Sequence, residues 1–489
     1  MERRFELRKE ELLADCQVRT AAIAGMMGRL ERFAEPFCEC LRRPEQRRHA
    51  QTAQTYVQGL LSDVDRKNAE AIAYRHAEDR QGLQTFLGTA PWDHRPLLFE
   101  LTHQVGRALK EADAVIVFDP SAFPKKGRHS VGVARPWCGR LGKVDDCQVG
   151  VFMGYVSRVE HALVDVRLYL PKEWAKDRKR RRECGVPKEI QYQTRHALAL
   201  QMLDQKGPLL PHAWVTGDDE MGRPAWFRRA LHDRREKYLL AIPSNTTIRD
   251  REAPQPPYSG RGRRPKQRFQ QVRKWCESLP AHAWTRIDVR DGAKGPLAVE
   301  AVQRRVVAKI DRNVGPEETL VVTRTIDEAG VIQHDYYLSN APAQTPLGEF
   351  ARVTKAAHRI EECIRRGKSE AGMADYQVRT WAGWHHHITL SMIATWFLLE
   401  EARRGKKADS CDDRSASPRG ACADAARRKW VRPPRPNRPR THALAGAQRA
   451  CTILSSQSTK PFAAKEVPST KVMGYSRTSV SSHQDGELV

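Results

Sequence analysis

The chain has no apolar run approaching the roughly 18 residues of a membrane-spanning helix, so no span is expected. Its start, Met1-Glu2-Arg3-Arg4-Phe5-Glu6-Leu7-Arg8-Lys9, has no apolar signal core, so export is not expected. No Cys-x-x-Cys pair occurs, and the nearest cysteines, Cys38 and Cys40, are one residue apart. The eleven cysteines are an odd number, scattered from Cys16 to Cys451. Neither a tetrahedral zinc site nor a disulfide framework is supported, and reduced thiols in a cytosol are the expectation. No internal repeat is found. Acidic residues are in deficit: 59 Asp and Glu face 84 Lys and Arg, a net charge of +25 over 489 residues. Such an excess favours a polyanionic partner, although a merely soluble basic protein would read the same way.

The length allows two to four domains. Residues 1–110 read as mostly helical, with Leu12, Val18, Ile23, Met26, Met27, Leu30 and Phe33 at helical spacing. Leu60, Leu61, Val64, Leu83, Phe86 and Leu87 continue the pattern. This is either a DNA-gripping domain or a helical cap on the α/β core. In residues 111–245 the apolar run 114–118 reads as a strand buried on both faces. Residues 147–157 and 162–170 read as a hairpin, 188–205 as a helix, 213–217 as a strand, 224–235 as a helix and 238–242 as a strand. That order, β-β-β-α-β-α-β, is the order of a ribonuclease-H-like α/β fold with its first strand central.

Residues 246–345 interrupt the scheme with a turn-rich basic loop at 254–268 and then alternating segments. Those segments, at 284–289, 297–304, 305–310, 319–325 and 336–339, are expected to form an inserted β-rich subdomain. Residues 346–407 would supply the closing helices of the core, a charged one over 352–370 and a buried one over 388–399. The Ser-, Pro- and Arg-rich stretch 408–489 reads as a disordered basic tail.

Three acids stand at telling places. Asp119 closes the first strand, Asp218 closes the strand at 213–217, and Glu361 lies on the charged helix. Ligands of open α/β sheets gather at the carboxyl ends of parallel strands. Three carboxylates brought together there could hold two Mg²⁺ ions about 3.5–4 Å apart for phosphoryl transfer. Asp219 and Glu362 neighbour two of these acids and compete with them for the same role. Basic residues flank the acids: Lys125, Lys126 and Arg128 after the first strand, and Arg261, Arg263, Arg264 and Lys266 in the long loop. A phosphate backbone is the expected partner of both groups. His385-His386-His387 invites a metal reading, but consecutive helical residues point about 100° apart, so packing or DNA contact is the expectation.

The local sequences around the acids resemble the DDE transposases of bacterial insertion sequences, in particular the insertion sequence 701 type. The resemblance rests on Ile116-Val117-Phe118-Asp119 with Pro120-Ser121-Ala122-Phe123-Pro124-Lys125-Lys126-Gly127. It rests also on Val215-Thr216-Gly217-Asp218-Asp219-Glu220-Met221-Gly222. A third block runs from Arg359-Ile360-Glu361-Glu362 through Lys368 to Trp381-Ala382-Gly383-Trp384-His385-His386-His387-Ile388. It spans roughly residues 85–400.

The resemblance implies that Asp119, Asp218 and Glu361 are the catalytic, metal-binding triad, with two Mg²⁺ ions that Mn²⁺ may replace. The family has a Lys seven residues after its Glu, which Lys368 matches; with Arg365 it would hold a DNA phosphate. Ala357 and Thr354 stand where related transposases carry an Arg and a Tyr, so a hairpin intermediate is not implied. The expected activity is phosphodiester hydrolysis at terminal inverted repeats followed by strand transfer. The expected partners are double-stranded DNA, as element ends and target, and a second copy of the chain in the DNA complex. The expected location is the bacterial cytoplasm, at the nucleoid when DNA is bound. The other readings are an inactive DNA-binding protein from a decayed or domesticated element, and a ribonuclease-H-like nuclease without strand transfer.

Overall fold

The structure is a computed structural model that describes residues 24–41, 47–138, 142–292, 295–311, 313–326 and 330–415. Side chains are described over the same stretches except at 47, 137–138, 289–292, 295–298 and 406–415. Five helices come first: α1 (Met26–Glu39), α2 (Arg47–Leu60), α3 (Ala69–His76), α4 (Arg80–Gly88) and α5 (Arg95–Leu109). The sheet begins with β1 (Val115–Pro124), followed by a small hairpin of β2 (Trp137–Cys138) and β3 (Lys143–Val144). Strands β4 (Cys147–Val156) and β5 (His161–Leu168) follow. Then come helices α6 (Lys172–Lys176), α7 (Arg178–Glu183) and α8 (Arg195–Lys206). Strand β6 (Trp214–Gly217), helices α9 (Asp219–Gly222) and α10 (Ala225–Asp233), and strand β7 (Tyr238–Ala241) complete this part.

The chain continues through β8 (Thr247–Asp250), β9 (Gln270–Gln271), α11 (Val272–Glu277) and β10 (Thr285–Gly292). Three long strands follow: β11 (Gly295–Ile310), β12 (Asn313–Ile326) and β13 (Ile332–Ser339). Two helices close the described chain, α12 (Leu347–Glu370) and α13 (Trp381–Ser415).

Strand β1 lies inside the sheet, as its apolar run predicts, because Val115 to Phe118 are buried on both faces. It pairs antiparallel with β4 and parallel with β6, and β6 pairs parallel with β7. The order β5-β4-β1-β6-β7 puts the first strand in the middle. The later strands, expected as an inserted β-rich subdomain, are hydrogen-bonded onto this sheet. β13 pairs with β7, so one eleven-stranded sheet runs on through β13-β12-β11-β8-β9, with β10 also on β11. They keep a small apolar cluster of their own around Ile248, Trp275, Val306 and Leu338. The expected strands 297–304 and 305–310 are one continuous strand, β11.

The N-terminal helices share a single core with the sheet, since Met26, Leu60, Leu87 and Val105 join the same cluster as Phe118, Phe152, Ile360 and Phe397. Leu12, Val18 and Ile23 lie outside the described residues. Helix α8 starts later than its periodicity suggests because Thr194 caps it, accepting from the Ala197 N–H at 3.1 Å. Helix α13 starts earlier than 388 because the Thr380 hydroxyl accepts from Gly383 N–H at 3.0 Å. Its backbone runs to Ser415, past the expected break at 408. The rest of the expected tail, 416–489, lies outside the described residues. No helix among the described residues is long and apolar enough to cross a membrane. Among the cysteines with described side chains, Cys40, Cys184, Cys276 and Cys363 are free thiols.

Candidate active site

Register places the two aspartates side by side. Phe118 pairs with Gly217 across the parallel β1–β6 ladder. Asp119 and Asp218 are the next residues on each strand, so they stand level on chains about 4.8 Å apart. Gly217 keeps the approach open: a Cβ there would lie 3.1 Å from the Phe118 carbonyl oxygen. Asp218 also caps α9, its Oδ1 accepting from the Met221 N–H at 3.0 Å. Asp219 is exposed and pairs with Arg223 at 3.2 Å.

Helix α12 is fixed against this edge along its length. Glu349 accepts from the Trp214 indole at 2.7 Å, and Arg352 donates to the Asp113 carbonyl at 2.8 Å. Ile360 seats on Gly154 of β4, where a Cβ would fall 2.4 Å from its Cδ1. The Lys368 ammonium donates to the Ser121 hydroxyl at 2.8 Å and the Ala122 carbonyl at 3.0 Å, just beyond Asp119 on β1.

Burial pushes the Asp119 carboxyl up to about 6; the Glu361 charge adds to the rise and the Lys368 ammonium opposes it. Asp218 as a residue is exposed, yet its carboxyl group is enclosed by protein. That enclosure pushes it up to about 7 against the Met221 N–H bond, with Asp119, Glu220 and Asp219 adding repulsion. Glu361 is different. Its side chain is 73% exposed and sits 3.6 Å from the His358 ring, which holds its carboxyl below the usual range. Of the two adjacent glutamates, Glu361 is the one whose charge reaches Asp119. Glu362 pairs instead with Arg366 at 2.5 Å.

Among the described residues, no three His, Cys, Asp or Glu side chains converge closely enough to hold an ion as they stand. The structure thus brings Asp119 and Asp218 together and leaves Glu361 beside them, turned toward His358. The donors nevertheless suit a hard cation: they are carboxylate oxygens, and two of them are raised by burial and by neighbouring negative charge, both of which a cation would offset.

Residues 36–296 match the family model of the DDE superfamily endonuclease. The chain belongs to the DDE superfamily endonucleases. The five-strand order around β1 is that of the ribonuclease-H-like sheet this superfamily implies, and DDE superfamily nucleases generally use divalent metal ions. The matched stretch carries Asp119 and Asp218, and Glu361 lies past it. The chain is also similar to the probable transposase for insertion sequence element IS701 of Microchaete diplosiphon, 38% identical over 105 residues. That alignment covers 20% of this chain and spans 27% of the relative's length.

The basic residues of this DDE endonuclease fall into two groups. Lys126, Arg128, Arg261, Arg263, Arg264, Lys266 and Arg365 are exposed. Lys125 is turned inward, which corrects its expected place on a DNA-facing surface. Its ammonium lies 3.2 Å from the Tyr376 ring centroid and donates to the Tyr376 carbonyl at 3.3 Å; burial lowers it to about 7. Lys368 is likewise engaged, with β1. The three histidines are packing residues. His386 lies with one ring nitrogen 2.9 Å from the Leu87 carbonyl and the other 2.9 Å from the Trp92 carbonyl, its single N–H donating to one of them, and His387 meets the Tyr56 hydroxyl at 2.9 Å. Burial lowers His385, His386 and His387 to about 3, 4 and 3.

Two site residues escaped the sequence reading. Ser121 receives Lys368, and Glu220 raises both aspartates while pairing with Arg195. Their nearness to Asp119 and Asp218 in sequence was the available signal.

Proposed function

We propose that this chain is a DNA transposase that cuts at the ends of its element and joins the freed ends to target DNA. The level placement of Asp119 and Asp218 on neighbouring parallel strands, with α12 laying Glu361 and Lys368 against the same edge, carries this reading. Asp119, Asp218 and Glu361 would hold two divalent ions, Mg²⁺ by preference for hard carboxylates. When bound, such ions activate a water or a 3′-hydroxyl and offset charge on the leaving oxygen. The chain's own residues do the rest. The two strand-end carboxylates must lose their protons to act, and their raised pKa values place that loss near neutrality. Glu361 must leave His358 and turn toward Asp119. Lys368 holds the β1 end in place and offsets the negative charge of Asp119.

The substrate is duplex DNA, attracted by the net charge of +25 and guided by the exposed cations at 126, 128, 261, 263, 264, 266 and 365. Two element ends imply two protomers in the working complex. Magnesium-dependent cleavage of labelled element-end DNA tests the reading, with the parent set against Asp119→Asn, Asp218→Asn and Glu361→Gln. We expect cutting by the parent only, DNA binding by all four, and joining of pre-cleaved ends to target DNA. A parent that binds ends but never cuts with Mg²⁺ or Mn²⁺ overturns the enzyme reading. One that cuts without joining is a nuclease.

A further inference from the structure

The loop after β1 does not stand alone. Arg180 of α7 donates to the Arg128 carbonyl at 2.7 Å, and its guanidinium stacks 3.8 Å over the Trp174 ring. Arg181 is tied to the carbonyls of Pro187 and Ile190 at 2.9 and 2.7 Å. Asp177 caps α7 by accepting from the Arg180 N–H at 2.9 Å. Cys184, just after α7, donates its thiol to the His129 carbonyl at 3.3 Å, and its own carbonyl accepts from the Trp381 N–H at 2.8 Å. The Val131 N–H donates to the Arg379 carbonyl at 2.9 Å. Three segments distant in sequence are thus locked into one rigid rim.

Two of the five cations at 178–182 are used in that locking; Arg178, Lys179 and Arg182 are not, and they are exposed. Lys126, Arg128, Lys176 and Arg379 are exposed around them. Among the described residues, Arg178, Lys179 and Arg182 have no acidic group within 4.0 Å. The run of cations is therefore held together against its own repulsion by backbone hydrogen bonds.

We infer that α7, with the 126–128 loop and Arg379, is a docking surface for the phosphate backbone of duplex DNA beside the acid site. The inference rests on the proposed reading of that site as one that acts on DNA. The length of β1 sets how far along the duplex its loop reaches. From Asp119 to the end of β1 at Pro124 is five residues, about 17 Å of strand. That is about five base-pair steps at 3.4 Å each, within one turn of the duplex. The 126–128 loop, which follows the end of β1, therefore meets backbone flanking the reacting phosphate.

The test compares the parent with the triple variant Arg178→Gln, Lys179→Gln, Arg182→Gln, which keeps Arg180 and Arg181 and with them the seating of α7. The probe is a fluorescently labelled DNA duplex long enough to pass under both the acid pair and α7. Each phosphate contact contributes about 0.9 to the slope of log affinity against log salt, so the variant should lose about 2.7 of that slope. In the parent, Lys179 and Lys126 should lose their reactivity toward acetylation when duplex is bound, read by mass spectrometry; this needs no variant to fold. An unchanged slope, or a Lys179 that stays fully reactive, overturns the inference; DNA binding and cutting by the same samples would leave the acid-site reading standing. A parent that binds no duplex at all overturns both.

Discussion

A buried ion pair joins the first half of the sheet to the second, and its removal gives the sharpest test of how the two are held. Arg228 of α10 and Glu318 of β12 are 6% and 2% exposed, with Nε to Oε1 at 2.8 Å. The same Oε1 accepts from the Tyr238 hydroxyl of β7 at 2.7 Å, and Arg228 also donates to the Gly222 carbonyl at 2.6 Å. Gly222 ends the α9 turn that Asp218 caps, so the pair also braces one side of the acid site. Arg228→Met leaves Glu318 buried with one hydroxyl partner and frees the Gly222 carbonyl. Such an uncompensated charge costs about 3–5 kcal/mol. Adding Glu318→Leu removes the stranded charge, and the double variant should recover most of that loss. Urea denaturation followed by far-UV circular dichroism gives the three stabilities, and a double-mutant cycle gives the coupling. Losses that simply add, or a single-variant loss below about 1 kcal/mol, would refute a desolvated pair as the tie between the two halves.

The packing and the charges give three further expectations. Gly154→Val should destabilise by about 1–3 kcal/mol, because its side chain would collide with Ile360, and should weaken divalent-ion binding by displacing α12; denaturation and calorimetry read the two effects. His386→Ala removes the one N–H that the neutral ring can donate to the Leu87 or the Trp92 carbonyl inside the core and should cost about 1–3 kcal/mol, measured by the same denaturation, with no change in zinc affinity. Asp119 and Asp218 have folded pKa values of about 6 and 7, raised from 3.8. A raised carboxyl stabilises the fold while protonated, so in chelator the stability from these groups is lost as pH rises from about 4 through 7. Added Mg²⁺ should raise the melting temperature most above that window, and a Mg²⁺ effect flat in pH would contradict the crowded pair.

How much of this was legible in the sequence depended on whether one segment carried the information. The run at 114–118 names a central strand by itself, since no solvent-facing position interrupts it. The short motif after Val215 likewise shows an acid closing a strand. What the sequence could not show is pairing. Residues 239–241 of β7 meet 337–339 of β13 across about a hundred intervening positions, and alternation identifies a strand without naming its neighbour. An inserted subdomain and a continuous sheet therefore read alike. Cations misled for a related reason. Lys125 and Arg128 look equivalent in a basic loop, but only Lys125 finds an aromatic ring and a carbonyl to turn into.

Helix phase explains why Glu361 could be picked out while its orientation could not. Ile360, Ile364 and Gly367 stand at i, i+4 and i+7 and form the buried stripe of α12. Glu361 and Lys368 follow Ile360 and Gly367 by one residue each, so both lie along one border of that stripe. Lys368 is long enough to reach β1 from that border, and it does. Glu361 is shorter and faces a choice between His358 on its own helix and the like-charged Asp119 across the gap. It lies 3.6 Å from His358, and its charge raises the Asp119 carboxyl. The helix is pinned on either side of Glu361 by Glu349, Ile360 and Lys368, so a variant that loosens any of these contacts would move the Glu361 backbone relative to Asp119.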